Sequence, residues 1–179
     1  MSEFQNYNGP IIDVWANWWD NHFFKQYPRM SELYERLGIE GRMKVSTDNL
    51  LEELKKAKIT KIILSATVCD EAQVTNAKVY ETAKIASDLI FPCASVDPRN
   101  GMEAIRQLRY AVNDLGCIAV KFLPFLYGLP PNHASYFPLY AECVELNVPA
   151  LILTGHTAVN LSNETGRPGS LDDVALYFP

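Results

Sequence analysis

The chain has 179 residues, 48% of them hydrophobic and 11% aromatic, which is typical of one globular domain and unlike disordered or fibrous proteins. Its formal net charge of −5 comes with basic and acidic residues interspersed, so no basic surface for a nucleic-acid partner is expected. The N-terminus lacks the basic and apolar segments of a secretory leader, and no run of about 18 apolar residues occurs, which predicts a cytoplasmic protein without a membrane span.

The cysteines are spaced far apart and include no CxxC pair that would favour a zinc site or a redox couple. We therefore expect all four to be reduced and buried, as small apolar side chains. They are Cys69, Cys93, Cys117 and Cys143.

Short apolar runs alternate with stripes of helical spacing along the chain. The first strand begins at Ile11 within IIDVWANWW and runs into all three tryptophans of the protein. The later strands are predicted at 61–68, 89–96, 117–123 and 148–156. The helices are predicted from Ser46 to Lys58, from Asp70 through a stripe that includes Val74, from Met102 to Leu115, from Pro138 to Asn147, and from a Ser170–Asp173 capping box.

This alternation predicts an α/β fold with a parallel sheet and right-handed crossovers. One strand and helix take roughly thirty residues, the size of a unit in a (β/α)₈ TIM barrel of about 250 residues. By that measure about five of eight units are present. We therefore expect residues 1–179 to form a single domain that is truncated at its C-terminus. A doubly wound open sheet is the competing architecture, although no glycine-rich phosphate loop supports it.

Side chains at the carboxyl ends of the strands are the candidates for chemistry in either architecture. The first strand offers Asp13, Trp15 and Asn17, whose spacing of two predicts that they share one face. Lys121 ends the fourth strand, and His156 ends the fifth. Arg167 follows in a polar loop.

Several segments together resemble the amidohydrolase-related family of metal-dependent hydrolases. This is the branch that includes aminocarboxymuconate-semialdehyde decarboxylase and the resorcylate decarboxylases. The similarity spans Ile11 to Pro179, and the order and spacing of the segments make it specific. The segments are an Ile-Asp strand, Val-Lys-Phe-Leu-Pro, Leu-Pro-Pro-Asn-His before Tyr-Phe-Pro-Leu-Tyr-Ala-Glu-Cys, and Gly-His-Thr leading to Glu-Thr-Gly-Arg-Pro.

The resemblance implies a (β/α)₈ barrel with a divalent metal site, in which the first strand ends in His-x-His and the fifth strand supplies another histidine. Asp13 matches the residue before that pair, while Trp15 and Asn17 occupy the two histidine positions. His156 matches the fifth-strand ligand. The remaining ligands are expected beyond Pro179. A zinc or manganese ion would then be held weakly or not at all, because these ions prefer three or four ligands and His156 supplies only one imidazole.

Each candidate has two readings. His156 is a metal ligand or a hydrogen-bonded histidine near the core, and Trp15 and Asn17 contact substrate or only pack at the barrel mouth. Lys121 binds a substrate carboxylate or forms a salt bridge, because a buried lysine needs a partner; carbamylation is not usual in this branch. Arg167 clamps an acid or fixes its own loop.

The function implied is metal-dependent hydrolysis, or nonoxidative decarboxylation by a carboxy-lyase, of a small carboxylate-bearing substrate. The alternative is a catalytically inactive barrel fragment or scaffold that works through oligomerisation. In both cases we expect a homo-oligomer that binds neither nucleic acid nor membrane.

Overall fold

The computed structural model describes residues 8–19, 21–39, 46–69 and 73–178. The strands are β1 (Ile12–Asn17), β2 (Lys61–Ser65), β3 (Thr67–Val68), β4 (Gln73–Val74), β5 (Ile90–Ser95), β6 (Ala119–Phe122) and β7 (Ala150–Ile152). The helices are α1 (Asn21–Gln26), α2 (Pro28–Arg36), α3 (Thr47–Lys56), α4 (Asn76–Ile85), α5 (Met102–Asn113), α6 (Pro124–Tyr127), α7 (Phe137–Glu145) and α8 (Ser170–Tyr177).

Five strands form one parallel sheet in the order β1-β2-β5-β6-β7, while β3 and β4 form a separate antiparallel hairpin. The order follows the chain without reversal. A doubly wound sheet reverses its strand order at a switch point, whereas neighbouring barrel strands follow one another in sequence. The sheet is a curled half-barrel, which confirms the predicted (β/α)₈ type with five strands present.

The helix-facing side of the sheet carries the apolar core. Phe122 of β6 is fully buried and meets the rings of Tyr136 and Tyr140 edge to face, at centroid distances of 5.7 and 5.4 Å. Helices α5 and α7 pack side by side and are joined by a bidentate pair between Arg109 and Glu142 at 2.7 Å. The four cysteines are free and buried, as predicted.

The first strand carries a β-bulge, which changes the predicted orientation of Asp13. Asp13 lies opposite Ile62 and Asn17 opposite Ser65, with a register shift between Asp13 and Ala16. Ile62 and Ser65 are three positions apart, so Asp13 and Asn17 point to opposite faces of the sheet. The predicted shared face is therefore wrong for Asp13. Its Oδ1 instead accepts the N–H of Trp15 at 2.9 Å, within the bulge.

The segment after β2 also differs from the prediction. The predicted strand at 61–68 ends at Ser65, and the chain continues into the β3–β4 hairpin. Val74 belongs to this hairpin and not to a helix. Helix α4 begins at Asn76, where the Thr75 hydroxyl caps the N–H of Lys78 at 3.1 Å. The predicted helix start at Asp70 lies outside the described residues.

Helix α8 forms where a capping box was predicted, but its N-cap is Gly169 and no side chain caps it. Helix α3 does have its predicted cap, because Ser46 and Asn49 satisfy each other's backbone N–H groups. In the segment 124–137, expected as a loop, the short helix α6 forms. Among the described helices, none is long and apolar enough to cross a membrane.

Candidate active site

Polar side chains gather on the inner face of the sheet near the strand ends. Asn17, Ser65 and Cys93 lie opposite one another across β1, β2 and β5. Ser95 and Lys121 are likewise paired across β5 and β6. Residues paired in register point to the same side of a sheet, so these five share the face opposite to the helices. The architecture thus creates a polar patch at the carboxyl ends of the strands.

Lys121 is the charged residue of this patch and is 1% exposed. Its Nζ donates to Asn17 Oδ1 at 2.8 Å and to Thr67 Oγ1 at 3.2 Å. The ring of Trp15 lies beside the same nitrogen, 5.8 Å away at its centroid. The structure therefore brings together three of the predicted site residues, Lys121, Asn17 and Trp15.

No carboxylate among the described residues forms an ion pair with Lys121. Asp97, a buried carboxylate that follows β5, binds Arg99 instead, and the Arg99 guanidinium stacks over Tyr127. The salt bridge considered for Lys121 from the sequence is therefore not formed with any carboxylate of the described residues. Its amine is held by neutral oxygen acceptors.

Burial without a counter-ion changes the proton affinity of this amine. Desolvation lowers the pKa of Lys121 from 10.5 to about 7, and the neighbouring Cys93 opposes this only in part. Burial raises the pKa of the Cys93 thiol to about 11, so that near neutral pH it adds no negative charge. Both forms of the lysine are therefore populated near pH 7.

Thr67 was not identified from the sequence, since it lies in a hairpin that the apolar pattern did not reveal. Neighbouring contacts fix this hairpin over the patch. Tyr127 donates its hydroxyl to the carbonyl of Val68 at 2.8 Å, and the N–H of Val68 reaches Ser95 Oγ at 3.4 Å. The side chain of Asn76 in turn binds the backbone of Ser95 through both its oxygen and its nitrogen. Thr67 is thereby held against Lys121.

His156 lies in the loop after β7, four positions beyond the end of the strand, and is exposed. The predicted fifth strand was too long at this end. Among the described residues, no hydrogen bond or ion pair joins His156 to Lys121. Its role as a metal ligand stays a prediction.

A close backbone contact shapes the loop that carries His156. The N–H of Gly155 donates to the carbonyl of Gly166 at 2.6 Å, and Gly155 has a φ of +94°. A Cβ on Gly166 would lie 2.6 Å from the carbonyl oxygen of Gly155. Gly166 thus allows an approach that a side chain would block, and Gly155 supplies a backbone conformation that favours glycine.

We expect Gly166→Ala to lower the free energy of unfolding by about 1–3 kcal/mol, because the added methyl group overlaps a backbone atom. Chemical denaturation measures the change. Gly169→Ala is the matched control: its Cβ would meet no described heavy atom within 4 Å, and we expect a change within about 0.5 kcal/mol. Equal losses in the two variants would contradict this account of the loop.

Arg167 pairs with Glu164 at 2.8 Å, and both side chains are exposed. This pair fits the reading in which the arginine fixes its own loop, while a contact with an acid substrate stays a prediction. Trp18 and Trp19 pack within the chain's own core, and Trp19 stacks on Phe23 at 5.1 Å between ring centroids.

The metal implied by the resemblance is not matched by a ligand set in the described ranges. There, no three His, Cys, Asp or Glu side chains lie close enough to hold one ion together. The amide oxygen of Asn17 is already occupied by Lys121. On these residues alone, the donor set does not fit a firmly bound divalent ion.

The fold recurs in solved structures of low sequence identity. An uncharacterised TIM-barrel protein from Bordetella bronchiseptica is 21% identical with a TM-score of 0.73, over 96% of this chain and 64% of that one. The manganese-bound 5-carboxyvanillate decarboxylase of Novosphingobium aromaticivorans is 15% identical with a TM-score of 0.71, over 94% and 56%. A 2,6-dihydroxybenzoate decarboxylase from Rhizobium is 19% identical with a TM-score of 0.64, over 83% and 50%.

This chain thus spans between 50% and 64% of the lengths of these three structures. No curated protein matches it. The family model described as Amidohydrolase matches residues 12–179, which is nearly the whole chain. With its parallel strands in barrel order and its polar patch at the strand ends, the chain belongs to this amidohydrolase family.

Proposed function

We propose that this protein contributes the carboxylate-binding half of a metal-dependent hydrolase or nonoxidative carboxy-lyase that acts on a small acid. The observation that carries the proposal is the buried amine of Lys121, which has neutral acceptors and no ion-pair partner among the described residues. A buried cation without a counter-ion is a ready partner for an anionic ligand.

The hydrogen-bond capacity of Lys121 supports this role. An ammonium group has three N–H donors, and Asn17 and Thr67 accept two of them. A carboxylate oxygen of the substrate would accept the third. Asn17 is exposed, so the buried nitrogen is hydrogen-bonded to a residue at the protein surface.

The aromatic ring of Trp15 favours a planar acid. It lies beside Lys121 Nζ and offers a flat apolar surface within reach of a ligand held by that nitrogen. Two of the similar structures carry names of aromatic-acid decarboxylases, and one of these holds a substituted nitrobenzoic acid together with manganese. These names favour the carboxy-lyase over the hydrolase.

The chain's own residues would bind and orient the acid, with Lys121 on the carboxylate and Asn17 and Thr67 holding the amine. A divalent metal would supply Lewis-acid chemistry when bound. We propose His156 as its one ligand from this chain and expect zinc or manganese to be held weakly or not at all. Arg167 is proposed as a second contact for the acid.

We expect 2,6-dihydroxybenzoate to bind the protein, and Lys121→Met to weaken binding by about 1.5–3 kcal/mol, the range for a hydrogen bond to a charged group. Calorimetric titration near pH 6.5 measures the affinity. Lys84→Met is the matched control, because Lys84 is an exposed lysine paired with Glu81. Equal affinity of the Lys121 variant and the parent protein would refute the assignment of the carboxylate to this amine.

The alternative is a catalytically inactive scaffold that works through oligomerisation, and one observation favours it. Strand β1 is an edge of the sheet, where Ile12 and Val14 are 53% and 57% exposed. Exposed apolar side chains on an edge strand favour association. We infer from this edge that the protein is a homo-oligomer. We also propose that residues 1–179 are one domain, the N-terminal portion of a longer barrel, and that the protein works in the cytoplasm.

Metal content and mass in solution separate the two functions. Turnover of an aromatic acid after zinc or manganese is added supports the enzyme. A metal-free folded oligomer that turns over no acid after manganese is added supports the scaffold.

A further inference from the structure

We propose that Lys121 is a nucleophilic amine that forms a reversible imine with the carbonyl group of a small uncharged aldehyde. This reactivity goes beyond the proposed function: it needs no metal and does not use a substrate carboxylate. It concerns the same nitrogen in its uncharged form.

The hydrogen bonds around Lys121 match a neutral amine. A neutral amine has two N–H donors and one lone pair, and the described residues offer two acceptors, Asn17 Oδ1 and Thr67 Oγ1. Both donors are then satisfied, and the lone pair has no hydrogen bond to these residues. An ammonium group would instead keep one donor without a described partner. In the uncharged form of the lysine, this arrangement leaves the electron pair of the nitrogen available for nucleophilic attack.

The surroundings also favour the neutral form. Lys121 is almost completely buried, its neighbours are the Trp15 ring and the neutral Asn17 and Thr67, and the thiol of Cys93 is uncharged near neutral pH. The lowered pKa of the amine, about 7, agrees with this environment. Desolvation of a lysine in an apolar pocket is a recognised way to make a Schiff-base nucleophile.

The reaction balances without an added oxidant or reductant. The Nζ lone pair forms a bond to the carbonyl carbon, and the carbonyl π electrons move to the oxygen. A proton passes from nitrogen to that oxygen, which gives a carbinolamine. Protonation of the hydroxyl releases water and leaves the iminium ion; water reverses each step. Thr67 lies at 3.2 Å from Nζ, where its hydroxyl can relay the proton.

The experiment traps the imine with a defined probe. The folded protein is incubated with acetaldehyde and sodium cyanoborohydride at about pH 7.5, and peptide mass spectrometry follows the reductive ethylation of each lysine. We expect Lys121 to be modified at least about tenfold faster than exposed lysines, whose amines are largely protonated at that pH.

Two variants test the chemical reason. Asn17→Asp places a carboxylate next to Nζ and favours the ammonium form, so labelling of Lys121 should fall about tenfold or more. Lys121→Arg should remove the fast site and leave the exposed lysines unchanged. Circular dichroism checks that both variants are folded, and the Asn17 variant decides the question if the arginine variant does not fold.

The inference is overturned if Lys121 stays unmodified while exposed lysines react, or if Asn17→Asp leaves its labelling rate unchanged. Neither result affects the titration of dihydroxybenzoate, which tests the proposed function separately. A protein that labels but does not bind the acid would support the imine and reject the carboxylate site.

Discussion

Truncation of Phe122 to alanine should lower the free energy of unfolding by about 3–5 kcal/mol, the range for removing a large buried aromatic side chain. Phe122 is completely buried and packs edge to face against Tyr136 and Tyr140, which are stacked on each other at 5.7 Å. Its removal leaves a cavity between β6 and α7 and takes away both ring contacts. Urea denaturation at a fixed pH measures the loss.

Tyr110→Ala provides the control for this truncation. Tyr110 lies on α5 and is 54% exposed, so its removal opens no cavity and should change the stability by no more than about 0.5 kcal/mol. A loss for Phe122→Ala as small as that for Tyr110→Ala would mean that the aromatic cluster behind β6 does not hold the sheet to its helices.

Lys121→Met should change how stability depends on pH. Between pH 7 and 10.5 the unfolded chain holds a proton on this lysine that the folded chain lacks, so the parent protein gains unfolding free energy as the pH rises. The gain is about 1.4 kcal/mol per pH unit, or roughly 2 kcal/mol between about pH 7 and 8.5. The methionine variant loses this contribution.

The measurement is the difference in unfolding free energy between parent and variant at several pH values. We expect the stability of the variant relative to the parent to be highest at about pH 6 and to fall as the pH rises. Below pH 7 the folded parent must carry a buried charge on Lys121, which the variant lacks. Taking the difference between parent and variant cancels the titration of groups that the two proteins share. One such group is Cys117, because burial raises its pKa to about 12. Lys84→Met, which removes an exposed amine, is the matched control. A constant difference for Lys121→Met would contradict its lowered pKa.

The strands and their order could be predicted from the sequence because each strand is a short apolar run between helical stripes. The inner strands β2 and β6 are covered on both faces, and this leaves a strong local signal, as in Lys61–Ser65. The bulge in β1 could not be predicted in this way. It depends on the register with β2 and on one hydrogen bond from Trp15 to Asp13, and neither leaves a periodic pattern. Strict alternation therefore assigned Asp13 to the wrong face.

Part of the site could be predicted by the same logic. Lys121 and Asn17 end strands of one parallel sheet, and the structure joins them although they are 104 positions apart. Thr67 escaped prediction because a two-residue strand has no measurable period, and its position depends on contacts with Tyr127 and Ser95. The predicted strand ending in His156 was too long, because pairing with β6 ends at Ile152 and Gly155 turns the chain with a φ of +94°.

Lys121 and Phe122 are consecutive residues of a four-residue strand, one facing the patch and the other the helices. Any change in the packing between Phe122 and the helices therefore displaces the backbone that positions the amine of Lys121. If Nζ moved by about an ångström, it would no longer reach both oxygen acceptors. Engineering that optimises the outer layer of this strand for thermal resistance would alter the reactivity of the interior nitrogen as well. The two properties have to be selected together.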